Sequence, residues 1–187
     1  MYSTSDFRNG LKIEYEGEPY IIVEFQHVKP GKGGAFVRTK LKNLITGRVI
    51  DPTFRSGDKV NKPDLDDRDM EYLYADATGH VFMDQESFDQ LTIPGDLIED
   101  QMVYIKPNTV ISVQMFEGKP VSVDLPAAVD LLVTDTAPQV KGATATNQLK
   151  EAELETGLKT RVPPFIENGE MIRVNTEDGS YISRAGE

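Results

Sequence analysis

Apolar and polar residues alternate with a period of two along most of this chain, the pattern of half-buried β-strands. Leu11, Ile13 and Tyr15 are interleaved with Lys12, Glu14 and Glu16. A turn at Gly17-Glu18-Pro19 leads to a second strand over Tyr20–Val28, and a third runs from Ala35 to Leu44. In that third strand Val37 and Leu41 fall on one face, and Arg38, Lys40 and Lys42 on the other. Short strands near Gly47–Ile50 and Thr53–Phe54 are expected to close a small barrel, and Lys62-Pro63-Asp64 reads as a boundary. The middle segment opens with the strand EYLYA and a turn at Asp76–Gly79. Asp84-Gln85-Glu86-Ser87 is expected to open a short helical turn. Extended stretches MVYIKP, TVISVQMF and PVSVDLP follow, the last two joined by a hairpin turn at Glu117-Gly118-Lys119.

The last segment reads DLLVTD, then a long polar stretch from Thr134 to Glu155, then KTRVPPFI and a closing hairpin, MIRVNTEDGSYISR. Ile111-x-Val113 stands before Gly118 at the same offset as Ile172-x-Val174 before Gly179. That echo hints at two related barrels, although ordinary hairpin chemistry also produces it. The pattern as a whole predicts an all-β chain of three small barrels over residues 1–63, 64–127 and 128–187, with no extended helix. Modules of that size bury barely enough surface to fold alone, and small closed barrels are the usual solution for strand-rich chains.

Composition narrows the function. The 187 residues include no cysteine and two histidines, which leaves no thiol nucleophile, no disulfide framework and too few soft ligands for an ordinary zinc site. The start, MYSTSDFRNGLKI, lacks the apolar core of a signal peptide, and no apolar run is long enough to span a bilayer. A cytoplasmic protein without a membrane partner is expected. The net charge of −11 argues at first against nucleic acid, but it is unevenly spread. Residues 1–63 carry eleven Lys/Arg against seven Asp/Glu, residues 64–127 three against fourteen, and residues 128–187 six against ten. Asymmetry of this kind suits a chain that meets a polyanion with one part only.

Pro30-Gly31-Lys32-Gly33-Gly34 is the most distinctive stretch. Glycines on both sides remove side chains that would block a narrow site, and proline stiffens the approach. Lys32 then stands alone, with three donors and a positive charge. An ordinary hairpin turn with a solvated lysine explains the same residues, and on the loop alone it is the commoner case. A phosphate-cradling loop needs a helix directly after the glycines, whereas AFVRTKLKNL reads as a strand. Arg38, Lys40 and Lys42, with Lys29 beside the loop, suit contact with phosphates, and a solvated outer face is the plain alternative. The stretch from Val140 to Gly157 is too long for a tight turn, so it is either a functional loop or a linker. Carboxylate pairs abound by composition, and no Ser-His-Asp order, HExxH or cysteine nucleophile is present, so nothing makes a case for an enzyme.

DFRNGLKIEYEGEPY near the start, HVKPGKGGAFVR around the loop, and KEAELETG with VPPFIENGEMIRVNTEDGSYISR near the end resemble the elongation factor P family along essentially the whole chain. The resemblance implies an SH3-like (KOW-type) barrel followed by two OB-fold barrels in an elongated, tRNA-like arrangement. It implies a monomeric, non-enzymatic factor that binds the ribosome between the peptidyl and exit sites. Its partners there are ribosomal RNA, ribosomal proteins, peptidyl-tRNA and the mRNA codon in the exit site. The implied task is to relieve stalling at consecutive prolines without a dissociable cofactor. Lys32 matches the tip lysine that many members carry covalently modified by a dedicated enzyme, for example by β-lysylation. The loop Gly142-Ala143-Thr144-Ala145-Thr146-Asn147-Gln148 matches the codon-proximal segment, without the acidic residue many relatives have after its first glycine. Tyr181 and Arg184 match residues near the tRNA anticodon stem. Thr160 departs from the aliphatic residue usual in the family. The competing expectation, from another class, is a general single-stranded nucleic-acid-binding OB protein indifferent to Lys32.

Overall fold

The protein is described by a computed structural model covering residues 1–139 and 148–186. It is all-β, as the alternation predicts, with one short α-helix and a single 3-10 turn at Thr4–Asp6 among the described residues. The first barrel is built from β1 (Tyr2–Ser3), β2 (Lys12–Tyr15), β3 (Glu18–Val28), β4 (Phe36–Asn43), β5 (Val49–Ile50), β6 (Thr53–Arg55) and β7 (Lys59–Val60). Glu16 and Gly17 both have positive φ, at 51° and 80°, which gives the β2–β3 turn the twist a tight hairpin needs. That turn sets the register from Tyr15↔Glu18 to Lys12↔Ile21. β3 and β4 then pair from Tyr20↔Asn43 out to Val28↔Phe36, with an irregularity between Ile22 and Glu24 that bends the ladder. A bridge between Glu14 and Asn61 and the β1–β7 pair carry the sheet around toward closure. Phe7, Leu11, Ile13, Ile22, Val37, Leu41 and Phe54 fill the interior, with Phe7 and Phe54 edge to face at 5.4 Å.

The middle sheet comprises β8 (Asp66–Asp76), β9 (Gly79–Asp84), β10 (Gln90–Ile93), β11 (Val110–Phe116) and β12 (Lys119–Asp124), in the order β10-β9-β8-β11-β12. The last comprises β13 (Ala128–Thr136), β14 (Lys150–Leu154), β15 (Lys159–Val162), β16 (Met171–Asn175) and β17 (Tyr181–Arg184), in the order β15-β14-β13-β16-β17. Both sheets read third-second-first-fourth-fifth strand, so the hairpins ending at Gly118 and Gly179 hold equivalent places. The echo in the sequence is one of topology. In the last sheet the Thr160 hydroxyl donates to the Gly179 carbonyl at 2.6 Å, tying β15 to the β16–β17 turn. The departure from an aliphatic residue thus becomes a hydrogen bond rather than a lost contact.

Two expectations are corrected, that of an extended MVYIKP and that of an uninterrupted loop from Val140 to Gly157, in which Lys150–Leu154 forms β14 and pairs with β13 and β15. MVYIKP is not extended: α1 (Gly95–Met102) ends inside it, and Tyr104 and Ile105 donate their amides to Gln101 and Met102 at 3.0 and 3.1 Å. The backbone bonds there are local turns, and of the apolar run Ile105 is buried, as Ile98 is within α1. Asp84–Ser87 does form one short turn of helical type, since the Phe88 amide donates to the carbonyl of Asp84 four residues back at 2.9 Å, but β10 follows instead of a helix. The buried Asp84 carboxylate accepts the amides of Glu86 and Ser87 at 2.7 and 3.1 Å and closes the β9–β10 hairpin. With eight residues, α1 is the longest helix among the described residues and stays near two turns.

Packing divides the chain into two compact units, Met1–Arg68 with Val113–Ser122, and Asp69–Ser112 with Val123–Glu187. Inside the first, the Lys12 ammonium and the Ser122 hydroxyl both donate to the Gln114 side-chain oxygen. Inside the second, the Thr156 hydroxyl donates to the Val103 carbonyl, and Lys106 pairs with Glu155 at 3.3 Å. Among the described residues no helix is long and apolar enough to cross a membrane.

Candidate functional site

β3 and β4 stop pairing at Val28↔Phe36, so the seven residues 29–35 project beyond the ladder that carries them. Lys29 through Gly34 are all exposed. Gly33 has φ +104°, a conformation that side chains rarely adopt, so the fold itself asks for glycine there. Gly31 and Gly34 lie outside that region, and a Cβ at either would meet no atom within 4 Å. The fold needs one of the three glycines. The other two thin the loop for no internal reason. Lys29 and Lys32 have no hydrogen bond or ion pair among the described residues, so the tip ammonium keeps all three donors for solvent or a partner.

Behind the tip, β4 points as the alternation predicts. Val37, Thr39 and Leu41 are buried, whereas Arg38 and Lys40 are exposed. The basic face is less free than its sequence suggests. Lys40 lies opposite Glu24 in the ladder and pairs with it at 3.1 Å. Lys42, opposite Ile21, is half-buried. The Arg38 guanidinium lies 5.5 Å from the Phe36 ring, which holds it over the strand end next to the loop. Lys29, Lys32 and Arg38 therefore form the part of this surface with positive charge to spare. Of these, Arg38 also lines an open groove of about 570 Å³, together with Glu24, Gln26 and Lys40 among others. Sequence reasoning missed Glu24 as a partner, because the irregularity between Ile22 and Glu24 decides which strand residues face each other.

The C-terminal candidates sit differently. Tyr181 is half-buried and packs against the core of the last sheet. Arg184 is committed three times: its guanidinium covers the Phe165 ring at 4.7 Å, pairs with Glu170 at 3.3 Å, and donates to the Phe165 carbonyl at 3.5 Å. Of the loop Gly142–Gln148, residues 142–147 lie outside the described residues, and Gln148 is exposed. Among the described residues no cluster of His, Asp and Glu could hold a metal ion.

Relatives carry the comparison across all of these elements. Family models match as the Elongation factor P KOW-like domain over residues 3–60, the Elongation factor P OB domain over 65–123, and Elongation factor P, C-terminal, over 129–184. Elongation factor P of Moorella thermoacetica is 51% identical over 185 residues, covering 99% of this chain and 100% of that one. The same factor from Oleidesulfovibrio alaskensis is 48% identical over 184 residues, 98% of this chain and 100% of the other, and that from Maridesulfovibrio salexigens 50% over 184, covering 98% and 99%. Among solved structures, eukaryotic translation initiation factor 5A from Methanococcus jannaschii aligns at a TM-score of 0.48 and 21% identity, over 66% of this chain and 90% of that one. The chain belongs to the elongation factor P family of translation elongation factors.

Proposed function

We propose that the protein binds the ribosome between the peptidyl and exit sites and places Lys32 at the CCA end of the peptidyl-tRNA, where it restores peptide-bond formation at consecutive prolines. One observation carries this reading. Lys32 is exposed and unpartnered among the described residues, on a loop thinned by two glycines that the fold does not require. Such a loop suits insertion into a narrow, RNA-walled site, and the ammonium suits phosphate and ribose oxygens.

The chemistry belongs to the ribosome, and the protein acts as a brace rather than an enzyme. Proline fixes its own φ and is poorly disposed both as donor and as acceptor. A misplacement of about 1 Å from the attack geometry costs on the order of 10²-fold in rate. Holding the CCA end still offsets that loss without any bond being made by the factor. A covalent extension of the Lys32 amine by a modifying enzyme lengthens the arm and adds donors. Lys29 and Arg38 supply phosphate contacts beside the loop, with Lys40 and Lys42 contributing less because one is paired and the other half-buried. Tyr181 and Arg184 face the tRNA anticodon stem, and Gly142–Gln148 the exit-site codon. The three domains over 1–63, 64–127 and 128–187 act as one monomeric cytoplasmic factor.

The test is a reconstituted translation system with two reporters, one carrying consecutive prolines and one without. Peptide synthesis on the proline reporter is expected to accelerate when the protein is added, with the other reporter unmoved. Equal acceleration of both, or of neither, contradicts the reading. Tight binding to free oligonucleotides with no effect on either reporter would favour a general nucleic-acid-binding protein.

A further inference from the structure

Phe88 stands at the tip of the β9–β10 hairpin with φ +61° and is 68% exposed. The other described non-glycine residues with positive φ are Glu16, Asn108 and Glu117, and the two glutamates each precede a glycine in a tight hairpin turn. A bulky aromatic in the left-handed region is a conformational outlier where glycine or asparagine would be easier. The hairpin nonetheless holds it firmly. The Phe88 amide donates to the Asp84 carbonyl at 2.9 Å, the Asp84 amide donates to the Asp89 carbonyl at 2.9 Å, and the buried Asp84 carboxylate fixes Glu86 and Ser87. The Gln85 amide donates to the Asp69 carbonyl at 3.0 Å and anchors the tip to β8. A large apolar ring is thus presented to solvent from a hydrogen-bonded backbone, and among the described residues it pairs with no other aromatic ring.

Its surroundings indicate what it meets. Glu86, Asp89 and Asp69 are exposed around the tip, and the stretch 69–112 of the same compact unit holds nine acidic residues and one basic one. Phosphate backbones are repelled by that field, so base stacking on RNA is disfavoured. A protein pocket that is apolar at its floor and rimmed by lysine or arginine is complementary in both respects. One phenyl ring buries about 200 Å², far below the roughly 1,200 Å² or more of a stable interface. The ring works only as a secondary anchor within an assembly held elsewhere. We propose that Phe88, ringed by Glu86, Asp89 and Asp69, is a docking knob that inserts into an apolar, basic-rimmed pocket on a protein component of the ribosome. This rests on the ribosome-binding reading above.

The test compares Phe88→Gly and Phe88→Tyr with the wild type for binding to purified ribosomes, alongside thermal unfolding. Glycine relieves the backbone strain, so Phe88→Gly is expected to unfold at the same or a higher temperature and to bind ribosomes roughly five- to tenfold more weakly. Phe88→Tyr keeps the ring and is expected to bind within about twofold of wild type. A photo-crosslinking phenylalanine analogue at position 88 is expected to link to ribosomal protein. Unchanged binding by Phe88→Gly, a lowered unfolding temperature for it, or crosslinking to ribosomal RNA each overturns the proposal. Failure of the wild type itself to bind ribosomes would overturn the underlying functional reading instead.

Discussion

Glycines and cations occur in two contrasting settings in this protein. At the β3–β4 loop, Gly31 and Gly34 have no neighbour that a side chain would strike, and Lys32 has no internal partner among the described residues. In the second unit the same residue types are consumed by the fold. A Cβ on Gly79 would lie 2.2 Å from the Ile93 carbonyl oxygen, and Arg184 is stacked on Phe165 and paired with Glu170. A residue type that reads as functional in the sequence is therefore ambiguous until its surroundings are known. What the fold leaves unused is available to a partner, and what it uses is first of all structural.

Substitutions that swap the two settings sharpen this contrast. Gly79→Ala has to displace backbone at a positive φ of 151°, and a destabilisation of at least about 2 kcal/mol is expected in denaturant unfolding. Gly31→Ala is expected to change stability by less than about 0.5 kcal/mol in the same assay while impairing activity. Comparable losses from both would erase the distinction. Arg184→Ala removes a ring contact and a partly exposed ion pair and is expected to cost about 1 kcal/mol, visible as a lowered midpoint. Lys40→Ala breaks only the exposed pair with Glu24 and is expected to cost less than about 0.5 kcal/mol.

The smallest effect expected is one of pH. Asp76 accepts hydrogen bonds from the Thr78 hydroxyl and amide, and Asp178 from Ser180, and these hold both carboxyls below the usual range. A lowered folded value stabilises the protein above the unfolded value and is lost as pH falls through the folded one. Both turns are thus expected to weaken only in acid. NMR titration of the two carboxyls checks this, and an ordinary midpoint for either would contradict it.

Much of the first barrel was legible from alternation alone. β2, β3 and β4 appear where Leu11–Tyr15, Tyr20–Val28 and Ala35–Leu44 predict them, because one face of each is core and the other solvent. α1 was not legible. Its eight residues include one fully buried side chain, Ile98, so no helical stripe stands out against the strands on either side. The short turn at Asp84 was legible, because an acidic residue followed by polar ones bonds the nearby amides, but its place at a hairpin tip was not, since the same bonds serve a helix cap. At the candidate site, the exposure of Lys32 and the outward set of Arg38 and Lys40 followed from local pattern. The engagement of Arg184 did not, since Phe165 lies 19 residues away in sequence and only the fold brings the two together. Pairing of Lys40 with Glu24 was hidden by the irregular register beside Ile22.

The central claim is that Lys32 serves a partner and not the fold. Lys32→Ala measured for both unfolding and rescue of a reporter with consecutive prolines tests it most directly, with protein from the native host as control so that any extension of the lysine is present. Stability within about 0.5 kcal/mol of wild type together with loss of rescue is the result expected. Full rescue by a stably folded alanine variant would contradict the account.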